Sequence, residues 1–202
     1  MAGESNVISP RWDERLAYFV SDLLCPPITA LISIGLMIGA VTHPLVWAWG
    51  ILVVLLVVGV PVVYVAWKVR TGDISDFHIP IRSQRIRPML LSLACLCAAL
   101  AVMWIGGAPA QLISIIISGI LLTVSIFMIT LRWKISTHTT AITCLAFLLI
   151  YFGGPVWLFS LLLIPLVGWA RVRICRHTTL QAFAGVWLGV VYISLTLLNA
   201  QL

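Results

Sequence analysis

The sequence predicts an all-α fold, a polytopic transmembrane helix bundle of six to seven spans, and three observations point to it. Of the 202 residues 62% are hydrophobic and only 9% charged, whereas soluble domains carry about 25% charged residues. Asp, Glu, Lys and Arg are absent from four long stretches: 23–67, 89–131, 135–170 and 177–202. Three of these are interrupted by Gly and Pro at places where a helix of about 20 residues would end. The same composition excludes a coiled coil, a disordered tail and a disulfide-stapled secreted module. The net charge of +6 rests on 12 basic residues that membrane topology accounts for, so it does not indicate a nucleic-acid partner.

Each element follows in order. Residues 1–22 form an N-terminal segment, cytoplasmic or interfacial, with charges scattered among apolar residues and no central apolar block of the kind a cleavable signal needs. Within it, 10–20 suits a short helix at the membrane surface, with Trp12, Tyr18 and Phe19 at the interface. The transmembrane domain, 23–202, divides into spans near 24–42, 45–67, 89–106, 109–131, 137–152, 155–170 and 179–199. The first stretch breaks at Thr42-His43-Pro44, the second at Gly106-Gly107-Ala108-Pro109, and the third at Gly153-Gly154-Pro155. The fifth and sixth spans are short, and a six-span count follows if one of them is re-entrant. Runs such as 50–65 have almost no polar residue and fit helices better than barrel strands, which alternate over about ten residues.

This division places every Lys and Arg on one side of the membrane. Short loops rich in Lys and Arg stay cytoplasmic, so the N-terminus and polar loops are expected in the cytoplasm and the protein in the cell membrane. With seven spans the C-terminus lies outside. His43, alone on the far side, reads as a turn residue before Pro44. The five cysteines show neither a disulfide framework nor zinc-ligand spacing and read as free thiols, mostly buried.

Three cytoplasmic segments share one face: Lys68–Pro88, Arg132–His138 and Arg171–Gln181. They contain 10 of the 12 basic residues and three of the four histidines. Positive loops that fix orientation explain the cations. They do not explain why His78, His138 and His177 collect there. Histidine is the side chain most readily used as nucleophile or acid near neutral pH.

The order of these residues resembles the type 2 phosphatidic acid phosphatase family, whose third motif is similar to Arg171, five residues, His177, three residues, Gln181. The family's Ser-Gly-His looks like Ser136-Thr137-His138, and its Arg-Pro like Arg87-Pro88. The resemblance implies a lipid phosphatase-like core in which His177 attacks phosphorus and His138 protonates the leaving alkoxide. It implies that Arg171 and Arg87 bind phosphate, helped by Arg82 or Arg85. Ser136, Lys134 and Arg173 complete the substrate-binding candidates. The implied activity is hydrolysis of a lipid phosphomonoester or an isoprenyl (di)phosphate through a phosphohistidine, needing no metal or cofactor. Three departures stand out. Pro80 replaces the family's Lys, Thr137 its Gly, and Gln181 the Asp that orients the nucleophile.

Two alternatives stand beside it. One is a non-catalytic membrane protein binding anionic lipid headgroups, or a partner, through the same cations. The other is a prenyltransferase-like enzyme, because Asp73 and Asp76 sit three apart as in magnesium-diphosphate motifs, though no second acidic motif follows. Asp73 and Asp76 are otherwise expected to pair with nearby arginines or to orient His78.

Overall fold

The computed structural model describes residues 11–200. Helix α1 (Trp12–Leu23) is followed, after a 41° bend, by α2 (Pro26–Gly39). Next come α3 (Val46–Val53) and α4 (Val60–Arg70), joined by a wide π turn over Val54–Gly59 into one rod from Val46 to Arg70. The wide turn has a local cause. Pro61 has no N–H and its ring crowds the carbonyl four residues back, so the ladder ahead of it loosens; Val60 N–H bonds to Leu55 O, five residues back. A short 3₁₀ turn (Ser83–Arg85) leads into α5 (Ile86–Ile105), and then follow α6 (Ala110–Thr130) and α7 (Thr137–Gly153). A 3₁₀ stretch (Pro155–Leu162) continues into α8 (Leu163–Arg173), and α9 (Thr179–Ala200) ends the described chain.

The protein is a helical, polytopic membrane bundle. Among the described residues five helices are long and apolar enough to cross a bilayer, and a sixth crossing is available if the bent α1–α2 pair acts as one span. Helix α7 is different: at 17 residues it measures about 25 Å, less than the roughly 30 Å of hydrocarbon. It is also the most enclosed helix. His138, Thr139, Thr140, Ile142, Thr143, Leu145, Ala146 and Leu148 are all buried, because α2, α8 and α9 surround it. The outer faces carry the reverse pattern, with Leu55, Val63, Trp104 and Leu198 all more than half exposed. Such a surface needs hydrocarbon around it.

The apolar core divides by height and side. Val46, Val53, Leu96, Met103, Leu112 and Ile116 join α3, α5 and α6. Ala17 and Val20 of α1 pack on Ile142, Leu145, Val167 and Ala170. The helix expected over 10–20 is present as α1 from Trp12 and docks one face on α7 and α8, while Trp12 and Phe19 stay exposed. His43 accepts the Leu45 N–H at its Nδ1, as a turn residue does. The thiols are free; Cys25 and Cys95 are buried, but Cys97 and Cys175 are exposed.

Two helix ends close in the same way with different residues. After α5, Gly107 adopts φ +70 and Ala108 N–H reaches back to Met103 O at 2.9 Å. After α8, Cys175 takes the same left-handed place at φ +54, with Cys175 N–H on Val172 O and Arg176 N–H on Arg171 O, both 3.0 Å. This paired closure favours glycine at the left-handed position, since a Cβ there costs about 1–2 kcal/mol. Cys175→Gly is therefore expected to stabilise the protein by about 1 kcal/mol, read as a raised unfolding temperature in detergent. A lowered value would contradict the strain.

Candidate functional site

The closure after α8 is the first positioning device. It folds the chain back so that His177 N–H also bonds Arg171 O, at 3.2 Å. The five-residue spacing between Arg171 and His177 is thus the length of a helix end plus its closing turn. From there α9 starts with a reciprocal cap. Gln181 N–H bonds Thr178 Oγ1 at 3.3 Å, and Thr178 N–H bonds Gln181 Oε1 at 3.2 Å.

That cap fixes a proton. Because Gln181 Oε1 already accepts from a backbone amide, it acts as the acceptor toward His177 Nδ1, 3.2 Å away. Nδ1 then carries the hydrogen, and Nε2 presents a lone pair. His177 Nε2 is buried and has no hydrogen-bond partner among the described residues.

The second device is the loop after α4. Asp76 accepts the His78 N–H at Oδ1, 3.0 Å, and the Ile79 N–H at its carbonyl, 2.9 Å. Ile79 is held at φ +45, a conformation that costs a β-branched residue strain. Arg85 holds it: Nε bonds Ile79 O at 2.9 Å while Nη1 reaches Ile135 O at 3.3 Å. Arg176 Nη2 meets Asp76 Oδ2, and Lys134 Nζ meets Arg176 O, both at 2.5 Å. The three polar segments are thereby tied to one another at one end of the bundle. Helix α1 joins them through Ser21 Oγ, which accepts Arg171 Nη1 at 2.6 Å.

The third device is the seam between α7 and α9. Ser136 caps α7, its hydroxyl accepting Thr139 N–H at 3.4 Å, and its own N–H reaches Gln181 O at 3.3 Å. Thr139 Oγ1 bonds across to Ala182 O at 2.9 Å. This places His138, one residue into the helix, beside the cationic groups; it is 4% exposed and its Nε2 has no partner among the described residues.

At the centre lies Arg171, 1% exposed. Nη1 is occupied by Ser21, but Nε and Nη2 have no partner among the described residues. These two atoms form one edge of the guanidinium, the edge that grips an oxyanion through two parallel bonds. The electrostatics show the same surplus of positive charge. His177 is pushed down to about 3, by burial first and then by Arg85, Arg171 and Lys134. Lys134 falls to about 8, again through burial, then Arg85, Arg171 and Arg176. Burial works to raise the Asp76 carboxyl, but the His78 amide and the neighbouring cations outweigh it and lower it.

A cavity of about 250 Å³ opens beside this centre. Its polar end is His78, Arg85 and His138, and its walls include Pro26, Val65 and Met89. One end suits charge and the other hydrocarbon.

Of the residues nominated from sequence, His138, His177, Arg171, Gln181, Ser136, Lys134 and Arg85 come together. Three do not. Arg82 is exposed and bonds Leu131 O. Arg173 is spent on Asp13 and Glu14. Arg87 is exposed and lines a separate outer cavity with Lys68 and Asp73. Asp73 bonds Lys68 Nζ while Asp76 serves Arg176 and His78, so the two aspartates do not converge as a magnesium motif. Among the described residues no group of three or more His, Cys, Asp or Glu is arranged to hold a metal. Sequence reasoning gave no task to Arg176 and Ser21, and left His78 without a role. The crowding of His78 with charged residues was the available signal.

Compared with known proteins, the chain matches no family model, no curated protein and no solved structure. The functional reading rests on the buried guanidinium edge and the two imidazole nitrogens beside it.

Proposed function

We propose that the protein is an integral membrane phosphohydrolase of the lipid phosphatase type, crossing the cell membrane six or seven times with its polar loops in the cytoplasm. The carrying observation is a group of buried atoms with no hydrogen-bond partner among the described residues: Arg171 Nε and Nη2, His138 Nε2 and His177 Nε2. Leaving such atoms unpaired costs free energy, about 1–3 kcal/mol for each group, and a bound phosphate satisfies them together. An anion also relieves the repulsion that adds to burial in depressing Lys134 and His177.

In this reading a lipid phosphomonoester or isoprenyl (di)phosphate slides its headgroup inward from the cavity while its tail stays along Pro26, Val65 and Met89. Arg171 grips two phosphate oxygens, and Arg85 and Lys134 add charge. His177 Nε2 attacks phosphorus as the ester P–O bond breaks, and His138 gives its proton to the departing alkoxide. Water then attacks the phosphohistidine, the P–N bond breaks, His138 takes the proton back, and inorganic phosphate leaves. Fixed cations that meet developing charge supply most of the acceleration in such transfers.

One observation favours a second reading. Gln181 is a neutral capping residue and gives the His177 imidazolium no counter-charge, which suits an anionic-headgroup binder that does not turn over. Both readings are tested with purified full chain and a panel of phosphatidate, phosphatidylglycerol phosphate and isoprenyl phosphates. Phosphohydrolase chemistry predicts released phosphate, reduced about 10³-fold or more by His177→Asn while anion-induced thermal stabilisation persists. Stabilisation by the lipids without turnover, equal in wild type and His177→Asn, establishes the binder instead. Loss of stabilisation in Arg171→Met is expected under both, and its retention contradicts both.

A further inference from the structure

His138 is almost sealed, yet the proposed cycle needs it to gain a proton as the dianionic headgroup arrives. Within the chain its Nε2 has no anionic partner: Arg85 and Arg171 are near it, and no carboxylate bonds to it among the described residues. A proton must therefore reach it at each turnover along the cavity it lines with His78 and Arg85.

The nearest ring is His78, 5.5 Å between centroids and inclined by 32°. Two carboxylates lie near its ring without a hydrogen bond from Nε2: Nε2 is 3.4 Å from Asp22 Oδ1 and Nδ1 is 3.7 Å from Asp76 Oδ1, so both contacts leave the ring free to exchange partners with cavity water. Those carboxylates differ in access. Asp76 is one-third exposed and committed to Arg176 and to the His78 amide, whereas the Asp22 side chain is 61% exposed to solvent. On its inner side His78 lines the same cavity as His138 and Arg85. The cavity is mostly apolar, but its one polar end, between His78, Arg85 and His138, has room for a water to bridge the two rings.

We propose that His78 is a proton relay: it takes a proton from solvent by way of Asp22 and hands it, through cavity water, to His138 as the phosphate group enters. The proposal rests on the phosphohydrolase reading and adds a third histidine to it. The proton count closes. One proton moves inward when the dianion binds, His138 spends and recovers it within the cycle, and it returns to solvent with the product. The relay position is enforced: Asp76 fixes the His78 backbone, and Arg85 holds the strained Ile79 that follows it. Burial first, then Arg171 and Arg176, lowers the His78 imidazole below its ordinary range, while Asp22 and Asp76 oppose this.

The test uses the full chain in lipid nanodiscs, as wild type, His78→Gln and Asp22→Asn. With a lipid phosphomonoester, His78→Gln is expected to lower kcat about tenfold or more with KM within about twofold, and added imidazole to restore much of the rate. A loss that imidazole does not restore, or a change confined to KM, overturns the relay in favour of a packing role. A second readout needs no turnover: solvent exchange of the His138 ring proton, followed by nitrogen-labelled NMR with inorganic phosphate bound. The relay predicts exchange at least several-fold slower in His78→Gln and slower in Asp22→Asn. Unchanged exchange overturns it, whether or not the wild type hydrolyses any lipid. Absence of phosphate release from wild type with slowed exchange in the variants removes the phosphohydrolase reading alone.

Discussion

Replacing Gly185 by valine is expected to prevent stable folding, and even Gly185→Ala to lower stability by about 1–3 kcal/mol. A Cβ at this position would lie 2.2 Å from Thr139 Oγ1 and 2.4 Å from Ser136 O. The second atom is backbone and belongs to the residue capping α7, so it cannot step aside. Gly189, one turn on, meets Thr140 O and Thr143 Cβ at 2.8 Å in the same way. The pair lets α9 approach α7 closely enough for Thr139 Oγ1 to reach Ala182 O, the small-residue packing that membrane helices use in place of a hydrophobic driving force. Unfolding temperature in detergent is the measurement. Gly168→Ala is the control, because an added Cβ there has nothing within 4 Å and helix propensity alone favours it. Equal tolerance at 185 and 168 would remove the close seam from the account of this fold.

Gln181→Glu is expected to change the pH response of the protein more than any other single substitution near His177. In wild type the folded imidazole sits at about 3, while an unfolded histidine titrates near 6.5. Between those values the unfolded chain binds a proton that the folded chain refuses, so stability is complete above about 6.5 and declines as pH falls toward 3. A carboxylate in place of the amide keeps the cap on Thr178 and stabilises the imidazolium, raising the folded value toward the ordinary range. The acid decline then shrinks. Thermal unfolding from pH 3 to 8 measures it, and superimposable wild-type and variant curves would mean that residue 181 does not control His177. Under the phosphohydrolase reading turnover also rises, by about tenfold or more, since loss of the corresponding carboxylate in a serine-protease triad costs about 10⁴ in kcat.

Much of this could be read from the residues themselves. Gly and Pro mark the helix ends at 39–46, 106–110 and 153–155, and the charge-free stretches mark what lies between them. The gathering of polar segments at one end also followed, because pairs of apolar helices separate them. The choice among Arg82, Arg85 and Arg87 did not. Residues two apart on a helix point about 200° apart, so Arg85 turns inward while Arg87 faces out. That phase is set by the strained turn at Ile79, which no motif marks. The role of α7 was hidden for another reason. Its apolar content equals that of a lipid-facing span, and only contact with three neighbours makes it the centre. The glycines at 185 and 189 were visible four apart, but their meaning depended on the threonines opposite.

The two ends of the bundle are held together by different kinds of force. Where Asp76, Arg85, Lys134, Arg171 and Arg176 meet, the links are directional and tie separate loops. At the other rim, around Val41, Val46, Ala108 and Leu112, the described contacts are between apolar side chains. A substitution at the charged rim therefore unties several loops at once, whereas one at the bare rim is felt only by the side chains packed against it.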